Sequence, residues 1–201
     1  KPDLIIVISH SVFESVYEYL PNIAPTVILP WEEILGDWQQ QTEELAKILK
    51  KSDVFTQKMD DYHQRISNLK QSINETGEIQ ASFMFVAAGQ LVIARENSFA
   101  GAILNDLGIL NPLFEESGNF DLAFSEEILP EIDSDVIFIA PLKRGDRTVI
   151  DELRENPLWS QLKAERQNQV YLVDFSVWRG LNFFAAQKVL DDVSKHLINT
   201  S

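Results

Sequence analysis

Ser52-Asp53-Val54-Phe55-Thr56-Gln57-Lys58-Met59-Asp60-Asp61-Tyr62-His63-Gln64-Arg65-Ile66-Ser67-Asn68-Leu69-Lys70-Gln71-Ser72-Ile73-Asn74-Glu75 is the stretch on which the fold turns. Its apolar residues Phe55, Met59, Tyr62, Ile66, Leu69 and Ile73 recur at alternating spacings of four and three, and the positions between them are nearly all polar. One long helix with a single apolar stripe has this pattern. Ser52 is placed to cap the first turn, Asp53 suits the positive end of the helix dipole, and Gly77 can stop the helix. At ~1.5 Å per residue the helix is roughly 35 Å long, about the width of a small domain.

Two stretches of α/β character flank this helix. Before it, Leu4–Ile8 is a continuous apolar run expected of a buried parallel strand, and Val27-Ile28-Leu29 reads as a second. Helices are predicted over 12–20 and 39–50. After it come a hairpin-like pair, Ser82–Val86 and Leu91–Ala94, around the Ala88-Gly89-Gln90 turn. A helix follows, capped by Ser98, buried through Phe99, Ile103 and Leu107, and ended by Gly108. Asp135–Ala140 and Val170–Val173 read as further strands, with helices near 147–155, at Trp159 and over 182–197. The predicted organisation is α/β, with residues 1–51 forming part of a first lobe, 52–76 a connecting helix, and 77–201 a second lobe. Two strands and two helices bury too little surface to close a core alone, so the first lobe is expected to be incomplete.

Composition narrows the function. Seventeen Lys+Arg against 31 Asp+Glu give a net charge of −14, which opposes attraction to nucleic acid or to anionic lipid. No apolar run approaches the ~20 residues that span a bilayer. Without cysteine the chain has no disulfide, thiolate metal site or thiol nucleophile.

Open α/β sheets bind ligands beyond the carboxyl ends of their strands, so the residues just after each strand are the site candidates. These are Ser9 and His10, Pro30 and Trp31, Arg95 to Ser98, Lys143 to Arg147, and Phe175 to Arg179. Four of the seven arginines, Arg95, Arg144, Arg147 and Arg179, fall in this set. In so acidic a chain they predict a locally positive mouth suited to an anion, because the guanidinium fork matches carboxylates. Trp31 and Trp178 could pack on a flat or greasy ligand. Ser98 and Phe99 add the start of a helix, whose dipole favours an anion. The alternative for each arginine is a loop residue that merely solvates the surface. Trp159 reads as core.

Enzyme motifs are scarce. The sequence holds no G-x-S-x-G elbow, no phosphate loop, no G-x-G-x-x-G and no H-E-x-x-H. His10, His63 and His196 are its three histidines, too dispersed to predict a catalytic or metal-ligating cluster. No enzyme and no cofactor are expected. The open alternatives are capture of a bare metal, haem or cobalamin, a hydrolase-like enzyme using His10, or a sensor domain.

Several stretches together resemble one family, the substrate-binding proteins of ferric-siderophore and vitamin B12 ABC importers. They are Lys1-Pro2-Asp3-Leu4-Ile5-Ile6, Ile23-Ala24-Pro25-Thr26-Val27, Asn97-Ser98-Phe99-Ala100-Gly101 with Leu104 to Gly108, and Leu129-Pro130-Glu131-Ile132-Asp133. Asn156-Pro157-Leu158-Trp159, Leu162-Lys163-Ala164, Val170-Tyr171 and Ala185-Ala186…Val189-Leu190-Asp191-Asp192 continue the match. The order and spacing are closer to the ferric-siderophore and ferric-citrate members than to those for vitamin B12. The resemblance implies two Rossmann-like lobes joined by a backbone helix, with little hinge motion. It implies a monomeric, non-enzymatic protein, periplasmic or anchored outside the membrane as a lipoprotein, that binds a ferric siderophore and no resident metal. It also implies docking to the membrane permease through one acidic residue per lobe, Glu14 in the first and Glu155, with Glu152 as the fallback, in the second. Family members carry further strands and helices before the Lys-Pro-Asp start, so the resemblance again implies an incomplete first lobe.

Overall fold

A computed structural model describes residues 1–9, 14–29, 37–75, 77–87, 90–112, 121–141 and 148–198. The chain begins with β1 (Ile5–Ile8) and β2 (Thr26–Leu29), which pair in parallel with Ile5 opposite Thr26. Between them lie one helical turn, α1 (Glu14–Tyr17), and a 3₁₀ turn at Leu20–Asn22. The helix predicted up to Leu20 is α-helical only to Tyr17 among the described residues, and the chain tightens into the 3₁₀ turn at Leu20–Asn22, where Pro21 has no N–H to continue an α-helix. Ile8, Val16, Tyr19, Ile23 and Ile28 are exposed around this small sheet.

Helix α2 (Trp38–Ile48) starts at Asp37, whose carboxylate accepts from the Gln39 and Gln40 amides at 2.9 and 3.0 Å. Helix α3 (Ser52–Asn74) is the long helix read from the sequence. Met59, Tyr62, Ile66 and Ile73 are buried along it, and Phe55 and Leu69 pack at the margin of the same core. Its start differs from expectation. Lys51 occupies the cap position without a side-chain bond, and Ser52 is already helical. Gly77 follows at φ +102°, where a residue with a side chain would be strained.

The five-stranded sheet has the order β5-β4-β3-β6-β7. It comprises β3 (Ala81–Ala87), β4 (Gln90–Ala94), β5 (Asp121–Phe124), β6 (Val136–Ala140) and β7 (Val170–Leu172). Strands β3, β6 and β7 are parallel, whereas β4 runs antiparallel to both β3 and β5. β5 has no counterpart in the sequence reading, because four residues bounded by polar stretches carry almost no periodic signal. Both sheet faces are covered, so Val136–Ala140 is buried at every position.

One face packs on α3, on α4 (Phe99–Asp106) and on α8 (Phe183–Val193), and the core there includes Phe83, Phe138, Ile103 and Val189. The other face packs on Trp159 and on α6 (Lys163–Arg166), with Met84, Ile137 and Ile139 pointing that way. Helix α5 (Thr148–Glu155) adds Leu153 to this second core.

Polar bonds fix the long helix to the second unit. The buried Tyr62 hydroxyl donates to Asp106 Oδ2 at 3.0 Å, and Trp38 meets Tyr62 and Phe99 edge-on at 5.2 and 5.9 Å. Arg65 donates to the Gln187 carbonyl and amide oxygens at 3.1 and 2.7 Å, and to Asp191 Oδ1 at 2.6 Å. Burial would raise the Asp191 carboxyl, but hydrogen bonds and charge from Arg65 and then Lys188 outweigh it and hold the group below its ordinary value. Stabilisation from a depressed carboxyl is present above the unfolded value of ~3.9 and is lost as pH falls through the folded value. Asp191→Asn therefore lowers stability by about 1 kcal/mol at neutral pH, an amount limited by solvent screening of this half-exposed pair. In urea unfolding followed across pH, the gap between wild type and variant closes below about pH 4. A gap that persisted at pH 2 would contradict this assignment.

Candidate functional site

The parallel strands β3, β6 and β7 place their carboxyl ends along one edge of the sheet, and the chain turns back over that edge after β7. Asp174 caps a single turn, α7 (Phe175–Trp178), by accepting from the Ser176 amide at 2.9 Å. Arg179 ends that turn. Its guanidinium lies over the Phe85 ring at 4.8 Å, and Phe175 meets the same ring edge-on at 5.3 Å. A cation held over an aromatic face is both attracted and oriented. Arg179 is half-buried, so its charge is held at the edge of the sheet rather than trailing in solvent.

Gly180 and Leu181 shape the next turn. A Cβ at Gly180 would lie 2.3 Å from Ala185 Cβ, so only glycine lets the chain pass this close to α8. Leu181 has φ +50°, a left-handed conformation that costs a leucine roughly 1–2 kcal/mol. Asn182 then caps α8 through the Ala185 amide at 3.0 Å. Phe183 and Phe184 open that helix, and Phe184 is 79% exposed, the most exposed large apolar side chain among the described residues.

The candidate residues do not all gather here. Trp178, expected on the ligand, is instead fully buried, tilted against Phe138 at 4.5 Å and Phe83 at 5.0 Å, with Nε1 donating to Asp192 at 2.9 Å. The α7 turn puts positions three apart on one face, which carries Trp178 inward with Phe175. Arg95, Ser98 and Phe99 lie at the opposite edge of the sheet, because β4 is antiparallel and ends where β3 begins. There the Ser98 hydroxyl accepts from the Gly101 amide at 3.1 Å, and Phe99 is buried against Trp38. These four residues are corrected to structural or remote positions. Ser9 follows β1, and its amide donates to the Leu29 carbonyl at 2.7 Å. His10, Trp31, Arg144 and Arg147 lie outside the described residues. Glu14, Glu152 and Glu155 are exposed on their helices.

Sequence reasoning included Phe175 in the Phe175–Arg179 span but missed Phe85 and Phe184 as members of this edge. The only signal for Phe85 was strand alternation, which does not say which of the two sheet faces carries the ligand. Among the described residues, no three His, Cys, Asp or Glu side chains are grouped to hold a metal ion.

The periplasmic binding protein family matches residues 1–177. The chain belongs to that family. It is 30% identical over its whole length to the probable siderophore-binding lipoprotein YfiY of Bacillus subtilis, of which it covers 64%. It is 30% identical over 99% of its length to the Fe(3+)-citrate-binding protein YfmC of the same organism, of which it covers 62%. The chain thus spans less than two thirds of either relative. A FhuD fold-family periplasmic binding protein component of a Fep/Fec-like ferrichrome ABC transporter from Bacillus subtilis superposes with a TM-score of 0.84. That comparison covers 98% of this chain and 73% of the other at 22% identity, and it establishes the fold. The two α/β units joined by α3 are accordingly the two lobes of this fold. No helix among the described residues is long and apolar enough to cross a membrane.

Proposed function

We propose that this family member captures a ferric siderophore or a ferric citrate-type chelate outside the cytoplasm and presents it to the permease of an ABC importer. The observation that carries the reading is Arg179, held over Phe85 at the carboxyl edge of the larger sheet in a chain of net charge −14. An organised cation at the ligand-binding edge of an acidic protein selects an anionic ligand. Exposed Phe184 offers apolar surface for the body of a large chelate. The names of the two relatives, one siderophore-binding and one ferric-citrate-binding, point to the same class. A chelate already supplies iron with its hard oxygen ligands, so the protein complements only the outer charge and shape of the complex.

In this reading residues 1–51 belong to the first lobe, 52–76 form the strut and 77–201 form the second lobe. His10, Trp31, Arg144 and Arg147 remain proposed ligand contacts. The protein is a monomer, periplasmic or lipid-anchored, and performs no catalysis. Addition of ferric chelates to the full-length protein quenches tryptophan fluorescence saturably. Absence of quenching by any ferric chelate, alongside tight binding of bare metal, would sink the proposal.

Glu14 and Glu155 are proposed to dock into the permease, one from each lobe. Their exposure fits charge-based docking, which sets encounter rate and register. Reversal of both, Glu14→Lys with Glu155→Lys, lowers chelate uptake by cells at least about tenfold while chelate affinity is unchanged. Equal loss of affinity and uptake would instead place these residues at the ligand.

A further inference from the structure

The edge of the larger sheet remote from Arg179 carries a depression of about 390 Å³ between the start of β3, the end of β4 and α4. We propose that it binds a small primary ammonium or guanidinium compound with a short apolar stem, independently of the chelate site.

The walls are fixed by the backbone. The Leu110 amide donates to the Ile79 carbonyl at 3.0 Å and the Ala81 amide donates to the Leu110 carbonyl at 2.9 Å, which pins the 109–112 segment to the start of β3. Asn111 Nδ2 donates to the Ala94 carbonyl at 3.0 Å and ties the same segment to the end of β4. On the helix side Gly101 is required, since a Cβ there would lie 2.0 Å from the Arg95 carbonyl oxygen. That contact lays the 95–98 turn flat on α4 and brings Glu96 to the rim. A concavity held on three sides in this way is formed before any ligand arrives, and its volume falls within the ~300–1,000 Å³ of small-molecule sites.

The lining selects the chemistry. Among the described residues that line it, Glu96 carries the charge, Gln80, Asn105 and Asn111 supply amides, and Leu104, Ile109, Leu110 and Pro112 supply apolar wall. A single carboxylate with amide acceptors suits a compact cation that donates several hydrogen bonds. The apolar wall suits a stem of a few methylenes, whose burial removes apolar surface from water. An anion meets the Glu96 carboxylate and the field of a chain of net charge −14.

The test is an amide-resolved NMR titration of the protein with n-butylammonium, with butyrate as the anionic control. Butylammonium shifts the amides of Glu96, Gly101, Asn105 and Asn111 saturably. Glu96→Gln, which preserves shape, weakens that affinity at least tenfold while leaving both the thermal midpoint and ferric-chelate affinity unchanged. Shifts spread over the whole surface, equal binding by Glu96→Gln, or equal binding of butyrate would overturn the proposal. Because the chelate site lies at the other edge, its failure to bind iron chelates would leave these shifts in place.

Discussion

Arg179→Ala weakens binding of an anionic ferric chelate by about 10- to 100-fold, the range expected when one charge-assisted hydrogen-bonding group is removed from a binding site. The guanidinium sits over Phe85 at 4.8 Å and follows the α7 turn, so its position is set by the fold and not by the ligand. A preorganised donor loses little side-chain freedom on binding, and its deletion shows mainly in the off-rate. Arg179→Lys keeps the charge but lacks the planar fork, and its affinity falls between alanine and wild type. Raising the salt concentration narrows the differences as the charges are screened. Stability falls by about 1–2 kcal/mol, between the scales of an exposed and a desolvated cation–aromatic contact. Competition titrations of the three proteins check this, and alanine binding as tightly as wild type would remove Arg179 from the site.

Trp178→Ala produces the opposite profile. The indole is fully buried between Phe83 and Phe138 and donates to Asp192, so its removal leaves a large cavity and breaks a bond between α7 and α8. Truncation of a buried tryptophan costs about 3–5 kcal/mol, a large share of the ~5–15 kcal/mol that holds a domain folded. The denaturant midpoint drops accordingly, or the protein fails to fold at 37 °C. Trp178→Phe retains much of the packing and decides the matter. It lowers stability by less than alanine does and leaves chelate affinity unchanged. A phenylalanine variant with full stability and lost affinity would return Trp178 to the ligand surface.

These two neighbours show how far the sequence could be read. Both follow the last strand, and a rule that places ligands beyond strand ends selects both. Only the turn set by Asp174 separates them, because it rotates Trp178 into the core and leaves Arg179 at the edge. The long helix was legible because six apolar residues repeat its period over 23 residues. The cap was not, since Ser52 and Lys51 compete within a single position of a helix end.

The error at Arg95, Ser98 and Phe99 has a different origin. The hairpin at 81–94 was legible, but an antiparallel strand ends at the opposite edge, and the strand-end rule holds only for the parallel strands. The Arg179–Phe85 contact joins residues far apart in sequence, and neither β3 nor β7 alone predicts it. Family membership, by contrast, rested on many short stretches whose order extends along most of the chain, and residues 1–177 carry it.

Calorimetric titration of the full-length protein with ferric citrate, iron-free citrate and Zn²⁺ tests the central claim most directly. The expected result is saturable binding of the ferric complex at one site, with iron-free citrate at least tenfold weaker and no tight site for Zn²⁺. Tight Zn²⁺ binding without binding of ferric citrate or any other ferric chelate would contradict capture of a chelate.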